Sequence, residues 1–288
     1  MPSQRAFGRV VEVRLLSTEG SPIFFNGFDV DFKVEADVKE STPNKCDVTL
    51  FNLPADYRAA FQKSGCQLLL TAGYKNSNVA LIGTYDVQRA SSQLEGPDWL
   101  TQVQCSEGMA AMRNALFSST FPPGVRCATV YRQLSNALAS LGVTPGNFAA
   151  TMGAVPSSFP NGIALEGRVA TLLDQYARKE GFFFSVQDGQ QTYLTATGTS
   201  SKTIVLSPDT GLIGLPEFSE ADPKMKKPVH IKCRSLLRPE ARPGQAVSID
   251  LPPGQGFVRG MLKATKVTHN GSTYAQSFYT DFECEVVS

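Results

Sequence analysis

The stretch that decides the fold is residues 46–53, CDVTLFNL. Cys46, Val48 and Leu50 alternate with polar residues, which is the two-residue period of a β-strand with one buried face. The strand is expected to stop at residues 52–54, because Pro54 cannot donate a hydrogen bond to a neighbouring strand. The segment therefore predicts a half-buried strand that ends at a corner.

The same texture continues on both sides of this strand. Residues 28–35 alternate apolar and charged side chains, and further strands are expected at 67–70, 79–87 and 99–105. Turn residues separate them, most clearly at residues 95–98, EGPD. Several short strands with regular turns indicate a sandwich or a small barrel.

The middle of the chain has a different pattern. Apolar residues at 130–141 and at 169–177 each follow one helical face, and Gly142 and Gly181 stand at the expected helix ends. Asp188-Gly189 between two apolar runs predicts a β-hairpin, and the Gly/Pro/Ser-rich residues 145–162 predict a loop. Residues 107–199 therefore read as a small α+β domain.

The β pattern returns after residue 200, with a two-residue period at 247–251 and again at 274–284. Asn270-Gly271 before the second run predicts a tight hairpin. We expect a mainly β protein with three portions: a first β domain at 1–106, the inserted α+β domain at 107–199, and a second β domain at 200–288 that can share strands with the first. No internal sequence repeat is strong enough to be claimed.

Composition narrows the possible functions. Of the 288 residues 42% are hydrophobic and only 18% are charged, a low charge content that fits either a surface covered by other proteins or a β-protein with neutral polar faces. The net charge of +1 argues against a dedicated nucleic-acid binder. No run approaches the roughly 18 apolar residues of a membrane helix, so we expect no membrane partner. Residues 1–9 hold no signal-peptide run, so we expect folding in the cytoplasm of the producing cell.

Residues that carry chemistry are sparse. The six cysteines form no CxxC pair and are expected to be free and buried. His230 and His269 have no metal-ligand spacing around them and are expected to be structural. No nucleophile elbow, HExxH or phosphate-loop motif is present. Paired acids brought together by the fold stay open, but we expect no catalytic site, no metal and no cofactor.

One basic cluster lies at residues 224–242, where seven Lys/Arg accompany a single acid, Glu240. It is either a solvated face or a contact surface for an acidic protein, and the interleaved aromatics of a single-strand binder are missing. We therefore expect no direct nucleic-acid contact. The basic residues are Lys224, Lys226, Lys227, Lys232, Arg234, Arg238 and Arg242.

A set of phrases in a fixed order resembles the baseplate hub proteins of tailed bacteriophages. These phrases are CDVTLFNL at 46–53, TAGY at 71–74, LIGTY at 81–85, LSPDTGLIGLP at 206–216, and the closing stretch 236–284. The closing stretch departs from the family at 277–280, SFYT, where a Trp-Thr pair is more typical. The departure concerns the register there.

The resemblance implies two tail-tube-like β-barrels with an inserted α+β domain. It implies a homotrimer in which two barrels per chain make a pseudo-sixfold ring, joined to the tail tube or distal tail protein above and to the tail spike below, among other baseplate proteins of the virion. It also implies a structural role at a barrel corner for Phe51, Asn52, Leu53, Gly73 and Tyr74.

Two other functions stay open at this point. A hub component of a bacterial type VI secretion spike shares the architecture, but such spikes usually continue into a long repetitive segment, which does not follow residue 288; we therefore expect the phage version. A tail-associated cell-wall hydrolase needs a cleft with perturbed acids, to which no motif points.

Overall fold

The structure is a computed structural model that describes residues 8–17, 21–39, 42–219, 230–251 and 261–287. The chain divides into two compact units. The β unit holds residues up to 36, residues 45–106 and residues from 199 onward; the inserted unit holds residues 37–44 and 107–198. The fold is mainly β, as the alternating patterns predict.

The first part of the chain contributes seven strands and a short helix that follows Pro54. In chain order they are β1 (Arg9–Leu16), β2 (Ile23–Phe24), β3 (Val30–Asp37), β4 (Lys45–Phe51), α1 (Ala55–Ala60), β5 (Gln67–Tyr74), β6 (Val79–Glu95) and β7 (Asp98–Ser106).

The inserted unit has a core of its own beneath two amphipathic helices. Its elements are α2 (Met109–Asn114), β8 (Leu116–Phe121), β9 (Val125–Arg126), α3 (Cys127–Ala139), β10 (Ser158–Phe159), β11 (Ile163–Arg168), α4 (Val169–Lys179), β12 (Phe182–Gln187) and β13 (Gln190–Thr195). The Asp188-Gly189 hairpin is confirmed, since β12 pairs with β13 and both turn residues have positive φ.

The last part of the chain adds six strands. They are β14 (Ser200–Leu206), β15 (Leu212–Ser219), β16 (His230–Leu236), β17 (Gln245–Ile249), β18 (Leu262–Ser272) and β19 (Phe278–Val286). All strands of the β unit belong to one 13-stranded sheet, in the order β15-β16-β19-β18-β3-β4-β7-β6-β5-β1-β2, with β17 pairing both β18 and β14.

This order contains the same path twice. The first repeat, β1 with β3–β7, runs β3-β4-β7-β6-β5-β1, and the second repeat, β14–β19, runs β15-β16-β19-β18-β17-β14. The matched strands also follow one another in the same chain order. The outermost pair differs, because β1 and β5 are antiparallel whereas β14 and β17 are parallel.

The register of the two repeats agrees in detail. β6 shifts register against β7 just before Arg89, and β18 shifts register against β19 just before Lys266. Aligning these shifts matches Thr101 with Thr280, and both are fully buried. Thr101 shares a hydrogen bond with Ser92 (3.1 Å), and Thr280 shares one with His269 (3.0 Å). The β unit is therefore a duplicated fold whose copies share burial and contacts more than sequence.

Each repeat encloses a hydrophobic core. The first core lies among β1 and β3–β7 and also takes in Leu237 and Phe278 from the second repeat. The second core lies among β14 and β16–β19. Because Phe278 begins β19 yet packs in the first core, the two repeats share structure at their junction.

The junction is a strand pairing that we call the internal joint, between β3 and β18. The Thr273 N–H donates to the carbonyl of Val30 (3.0 Å), and Lys266 lies 3.8 Å from Glu35 at the other end. The two strands therefore run in opposite directions. Gly271 lies so close to Phe32 that an added Cβ would be 2.2 Å from its ring.

The prediction of a hairpin at Asn270-Gly271 is wrong. Both residues lie inside β18, and the turn comes later, at residues 273–277. The Ser272 side chain accepts hydrogen bonds from the N–H groups of Tyr274 and Ala275 and so fixes this turn. Glycine at 271 is required by the close approach of the Phe32 ring, and a turn has no part in it.

Candidate functional site

The end of β4 is a tightly bonded corner. Asn52 has φ 55°, a left-handed conformation that asparagine tolerates better than most residues. Its N–H donates to the Trp99 carbonyl (2.7 Å), its Oδ1 accepts from the Trp99 N–H (2.9 Å), and its Nδ2 donates to Asp98 (2.8 Å). Asn52 therefore ties the end of β4 to the β6–β7 hairpin.

The two neighbours of Asn52 point to different surroundings. Leu53 is buried in the first core. Phe51 meets the ring of Tyr274 edge to face, with centroids 5.3 Å apart. The Tyr274 hydroxyl donates to Asp31 (2.9 Å), so the turn after β18 is held against the first repeat.

Gly73 and Tyr74 lie at a second place, at the end of β5. A Cβ on Gly73 would be 1.8 Å from the Asn78 carbonyl oxygen, so only glycine fits the turn into β6. Tyr74 is buried, which raises the pKa of its phenol. Its hydroxyl donates to the Phe278 carbonyl (3.2 Å), and its ring meets the Phe278 ring edge to face.

Arg9 lies beside Tyr74 at the end of β5. Its guanidinium lies 5.2 Å from the centre of the Phe278 ring and donates to the carbonyls of Ser272, Ala275 and Gln276. The five residues expected at one corner thus occupy two places, both in contact with residues 272–278 of the second repeat. The contacts of Phe51 with Tyr274 and of Tyr74 with Phe278 are packing contacts between the two repeats.

The basic cluster is described only from His230 onward, so Lys224, Lys226 and Lys227 lie outside the described residues. Arg234 donates two hydrogen bonds to Asp281 (2.6 and 3.2 Å), which raise its pKa, and its guanidinium stacks 3.9 Å over the Tyr279 ring. Lys232 lies 3.9 Å from Glu283. Both cations are matched by acids on β19.

The two later arginines hold a loop. Arg238 donates to the carbonyls of Val205 (3.2 Å) and Thr210 (2.6 Å). Arg242 donates to the carbonyls of Pro239 (2.7 Å) and Leu81 (3.1 Å), the latter from the first repeat. The described part of the cluster is therefore engaged in hydrogen bonds and ion pairs within the chain.

An open groove of about 740 Å³ lies on the outer face of the sheet, across β3, β18, β19, β16 and β15. Its lining carries four cations and four acids, among them Lys33, Glu35, Lys266 and Glu217. Lys33 donates a hydrogen bond to Glu35, and this lowers the pKa of that carboxyl. A general acid needs a raised pKa instead, so this pairing is typical of a structural surface.

The histidines differ in burial. His269 is buried between the Thr280 hydroxyl (3.0 Å) and the Ala241 carbonyl (3.3 Å). Burial, with the Arg242 charge nearby, lowers its pKa to about 3. His230 lies 3.5 Å from Glu285 near the surface. Across the described ranges, no group of three His, Cys, Asp or Glu side chains could hold a metal ion.

The sequence pattern does not reveal two strand edges of the sheet. The second half of β6, Arg89–Glu95, pairs with β7 on one side, and within the described residues no strand covers its other side. It carries exposed Leu94, opposite Trp99. Among the described strands, β15 lies at the end of the sheet, and it carries exposed Ile213, Leu215 and Phe218. Apolar residues beside charged turn residues are the only sequence signal of these edges.

No helix in the described part of the chain is long and apolar enough to cross a membrane. No family model matches the chain, and no curated protein matches it.

Solved structures do match. The fold is similar to that of a tail protein from Neisseria meningitidis, with a TM-score of 0.64, 8% identity and coverage of 97% of both chains. It is similar to a 43 kDa tail protein of a Shewanella oneidensis prophage, with a TM-score of 0.65, 9% identity and coverage of 96% of this chain and 97% of the other. The chain has the fold of these tail proteins.

The tail-protein fold also occurs in secretion machinery. A component of the E. coli type VI secretion system matches with a TM-score of 0.56 at 12% identity, over 96% of this chain and 77% of the other. A chain of the Francisella PdpA–VgrG complex matches with a TM-score of 0.54 at 7% identity, over 97% of this chain and 58% of the other. Both matched proteins extend beyond the shared fold.

Proposed function

We propose that this protein is a structural hub of a phage tail baseplate. Three copies form a ring that joins the sixfold tail tube to the threefold central spike. The observation that carries the proposal is the duplicated fold: one chain holds two repeats with the same strand order and matching register.

The duplication suits an adaptor between two symmetries. Three chains with two similar repeats each present six similar units, and they remain three identical chains. A ring of this kind can face a sixfold partner with its repeats and a threefold partner with features that occur once per chain. A single-repeat chain could match only one of the two symmetries in this way.

The fold resembles the two tail proteins more than the two type VI proteins. The TM-scores are 0.64 and 0.65 for the tail proteins, against 0.56 and 0.54 for the type VI proteins. We therefore propose a virion tail component. Its partners are a second and third copy of itself, the tail spike, the tail tube or distal tail protein, and other baseplate proteins.

A role without catalysis fits the chemistry of the surface. The described groove sets its acids beside lysines and arginines, and the hydrogen bond from Lys33 lowers the pKa of the Glu35 carboxyl there. A turbidity assay on bacterial cell walls tests this point. We expect the purified chain to leave the walls intact, and clear lysis would replace the hub with the hydrolase.

Native mass spectrometry over a series of concentrations tests the assembly. We expect a trimer, near three times the 31.1 kDa of the chain. A stable dimer, or a chain that stays monomeric at the highest soluble concentration, would contradict the threefold ring. A trimer that binds neither a spike nor a tube protein would contradict the adaptor role and leave the ring intact.

A further inference from the structure

In the duplicated fold, one strand pairing between the repeats is formed within the chain. The equivalent strand pairing at the outer edges is not formed within the described part of the chain. In the internal joint, the second half of β18 pairs with β3, the first strand of the other repeat's path. The strand equivalent to β18 in the first repeat is β6, and the strand equivalent to β3 in the second repeat is β15. Both of these edges carry exposed apolar side chains in the described structure.

The lengths of the strands support the equivalence. β17 covers only the start of β18, at Leu262 and Lys263, and β3 takes the remainder. β5 likewise covers β6 only as far as Asp86. Residues Arg89–Glu95 continue along β7, and no strand of the described residues covers their outer side. The open half of β6 is thus the half that would form the same joint.

The residues of the two edges are chemically complementary. By register, Arg89 takes the place of Lys266, the residue that pairs with Glu35 in the internal joint. On β15, Ser219 takes the place of Glu35, and Glu217 lies two residues away on the same face. A long arginine side chain reaches such a diagonal neighbour across a strand pair. An ion pair of the same polarity is therefore available.

The apolar residues match as well. Leu94 takes the place of Gly271, and Trp99 takes the place of Phe278. Residues 214–216, a bulge that includes Leu215, take the place of Phe32. In the internal joint these positions are packed together. In the isolated chain Leu94, Trp99 and Leu215 are 59%, 38% and 61% exposed, which is costly unless a partner covers them.

We propose that β6 of one copy pairs, antiparallel, with β15 of the next copy, through Arg89–Glu95 and Leu212–Ser219. This external joint repeats between chains what β18 and β3 do within the chain. The inference rests on the proposed hub and names the surfaces that close its ring. The occupant of both edges is a second copy of this chain, since each edge matches the other and the contact is head to tail.

The external joint also covers two exposed strand edges that could otherwise pair with other proteins. An open edge with apolar side chains invites uncontrolled pairing, and closing a ring removes it. The bulge in β15 between Ile213 and Glu217, with Gly214 at φ 73°, limits pairing with unrelated strands because a partner must accommodate it. The edge therefore selects a partner as well as attracting one.

Charge reversal tests the joint. Arg89→Glu alone and Glu217→Arg alone are each expected to lower the trimer fraction at least tenfold at a concentration where the wild type is mostly trimeric. The double variant R89E/E217R is expected to restore it, because the pair is remade with the signs exchanged. Lys75→Glu, an exposed reversal in the turn between β5 and β6, is the matched control and should leave the trimer unchanged.

Apolar variants and fluorescence provide a second readout. Leu215→Lys should prevent the trimer, whereas Leu116→Lys, at the most exposed large apolar residue described, should not. Trp99 is the only tryptophan, so its emission should shift to shorter wavelength as the trimer forms. Circular dichroism of each variant shows whether the chain is folded.

The outcomes separate the two proposals. Loss in the single variants, rescue in the double variant and a Trp99 shift support the external joint. A wild-type trimer that is insensitive to all these changes overturns the joint and leaves the hub standing. A wild type that forms no trimer overturns the hub and the joint together.

Discussion

The two repeats of the β unit have the same strand order and differ in what covers their long central strand. In the second repeat β3 covers the outer half of β18, whereas in the first repeat the corresponding half of β6 pairs with β7 and no described strand covers its other side. Residues at the covered joint are buried, among them Phe278, whereas their equivalents Leu94 and Trp99 are exposed. The comparison shows that one chain holds a strand edge that is covered by a neighbouring strand and an equivalent strand edge that is exposed.

The two cores differ in a related way. The first core is rich in aromatic rings and is completed by Phe278 and Leu237 from the second repeat. The second core is smaller and lies beside buried polar side chains, including His269 and Lys263. The first repeat therefore depends on the second for its packing, and the predictions below separate these contributions.

The largest effect is expected at the covered joint. Phe278 packs against Phe32 and Tyr74 and lies beneath Arg9. Phe278→Ala should lower the free energy of unfolding by about 3–5 kcal/mol, because it leaves a cavity in the first core. Its equivalent, Trp99→Ala, should cost the monomer only about 1 kcal/mol through the lost contact with Arg58.

Urea unfolding of dilute protein measures both values. Equal losses for the two variants would contradict the distinction between a covered and an open joint.

Between pH 7 and 5, a pH effect on stability is expected from His269 of the second repeat. The pKa of His269 is near 3 in the folded chain and near 6.5 when unfolded. The unfolded chain therefore binds a proton first as the pH falls, and stability is lost progressively between pH 6.5 and 3. The loss between pH 7 and 5 should be about 2 kcal/mol.

His269→Gln should remove most of this dependence, and Ser92, the equivalent residue of the first repeat, contributes none. His230→Gln, near the surface, serves as the control. An unchanged pH profile in the His269 variant would show that other groups titrate instead. Urea midpoints at pH 7, 6 and 5 give the comparison.

A smaller effect is expected from the glycine of the covered joint. Gly271→Ala places a methyl group against the Phe32 ring and should cost about 1–3 kcal/mol, because the ring must move within a packed core. Leu94→Ala at the equivalent open position should change the monomer by no more than about 0.5 kcal/mol. Thermal unfolding of the two variants compares them, and a silent Gly271→Ala would contradict the close packing of β3 against β18.

The smallest effect is expected on the outer face of the sheet. Arg234→Ala removes a pair with Asp281 that is open to solvent, and should cost about 0.2–1 kcal/mol, less at high salt. A double-mutant cycle with Asp281→Ala isolates the pair. A coupling of several kcal/mol would mean that this face is covered in the folded chain.

Much of the fold follows from local pattern. The alternation at residues 28–35 and 46–50 predicts β3 and β4, because one face of each strand is buried. The apolar stripes predict α3 and α4, whose residues Val130, Leu134 and Leu173 are fully buried. These elements are predictable because their periods are set by burial of a single face.

The rest depends on contacts between distant strands. Gly271 marks the approach of Phe32, a residue far away in the chain, and the local pattern therefore predicts a turn that the structure does not form there. The duplication is hidden because equivalent positions share burial and seldom identity; Cys105 and Cys284 are an exception. The arginines of the basic cluster predict a charged surface, yet Arg238 and Arg242 bond to carbonyls of their own chain.

The open edges could not be located from sequence, since an edge is defined by the strand that is missing beside it. Leu94 and Leu215 look like ordinary strand residues until the sheet order is known. The five residues expected at a barrel corner lie at two ends of the first repeat, and residues 272–278 contact both ends. These contacts join distant parts of the chain, so sequence spacing does not show them.

The central claim is that two equivalent repeats per chain build a ring of six similar units from three copies. Electron microscopy of the assembled protein in negative stain, with averaging of particles seen end on, tests it most directly. We predict a closed ring of six similar lobes that repeats with threefold symmetry. A twofold particle, an open filament, or a ring in which the number of lobes equals the number of chains would contradict the claim.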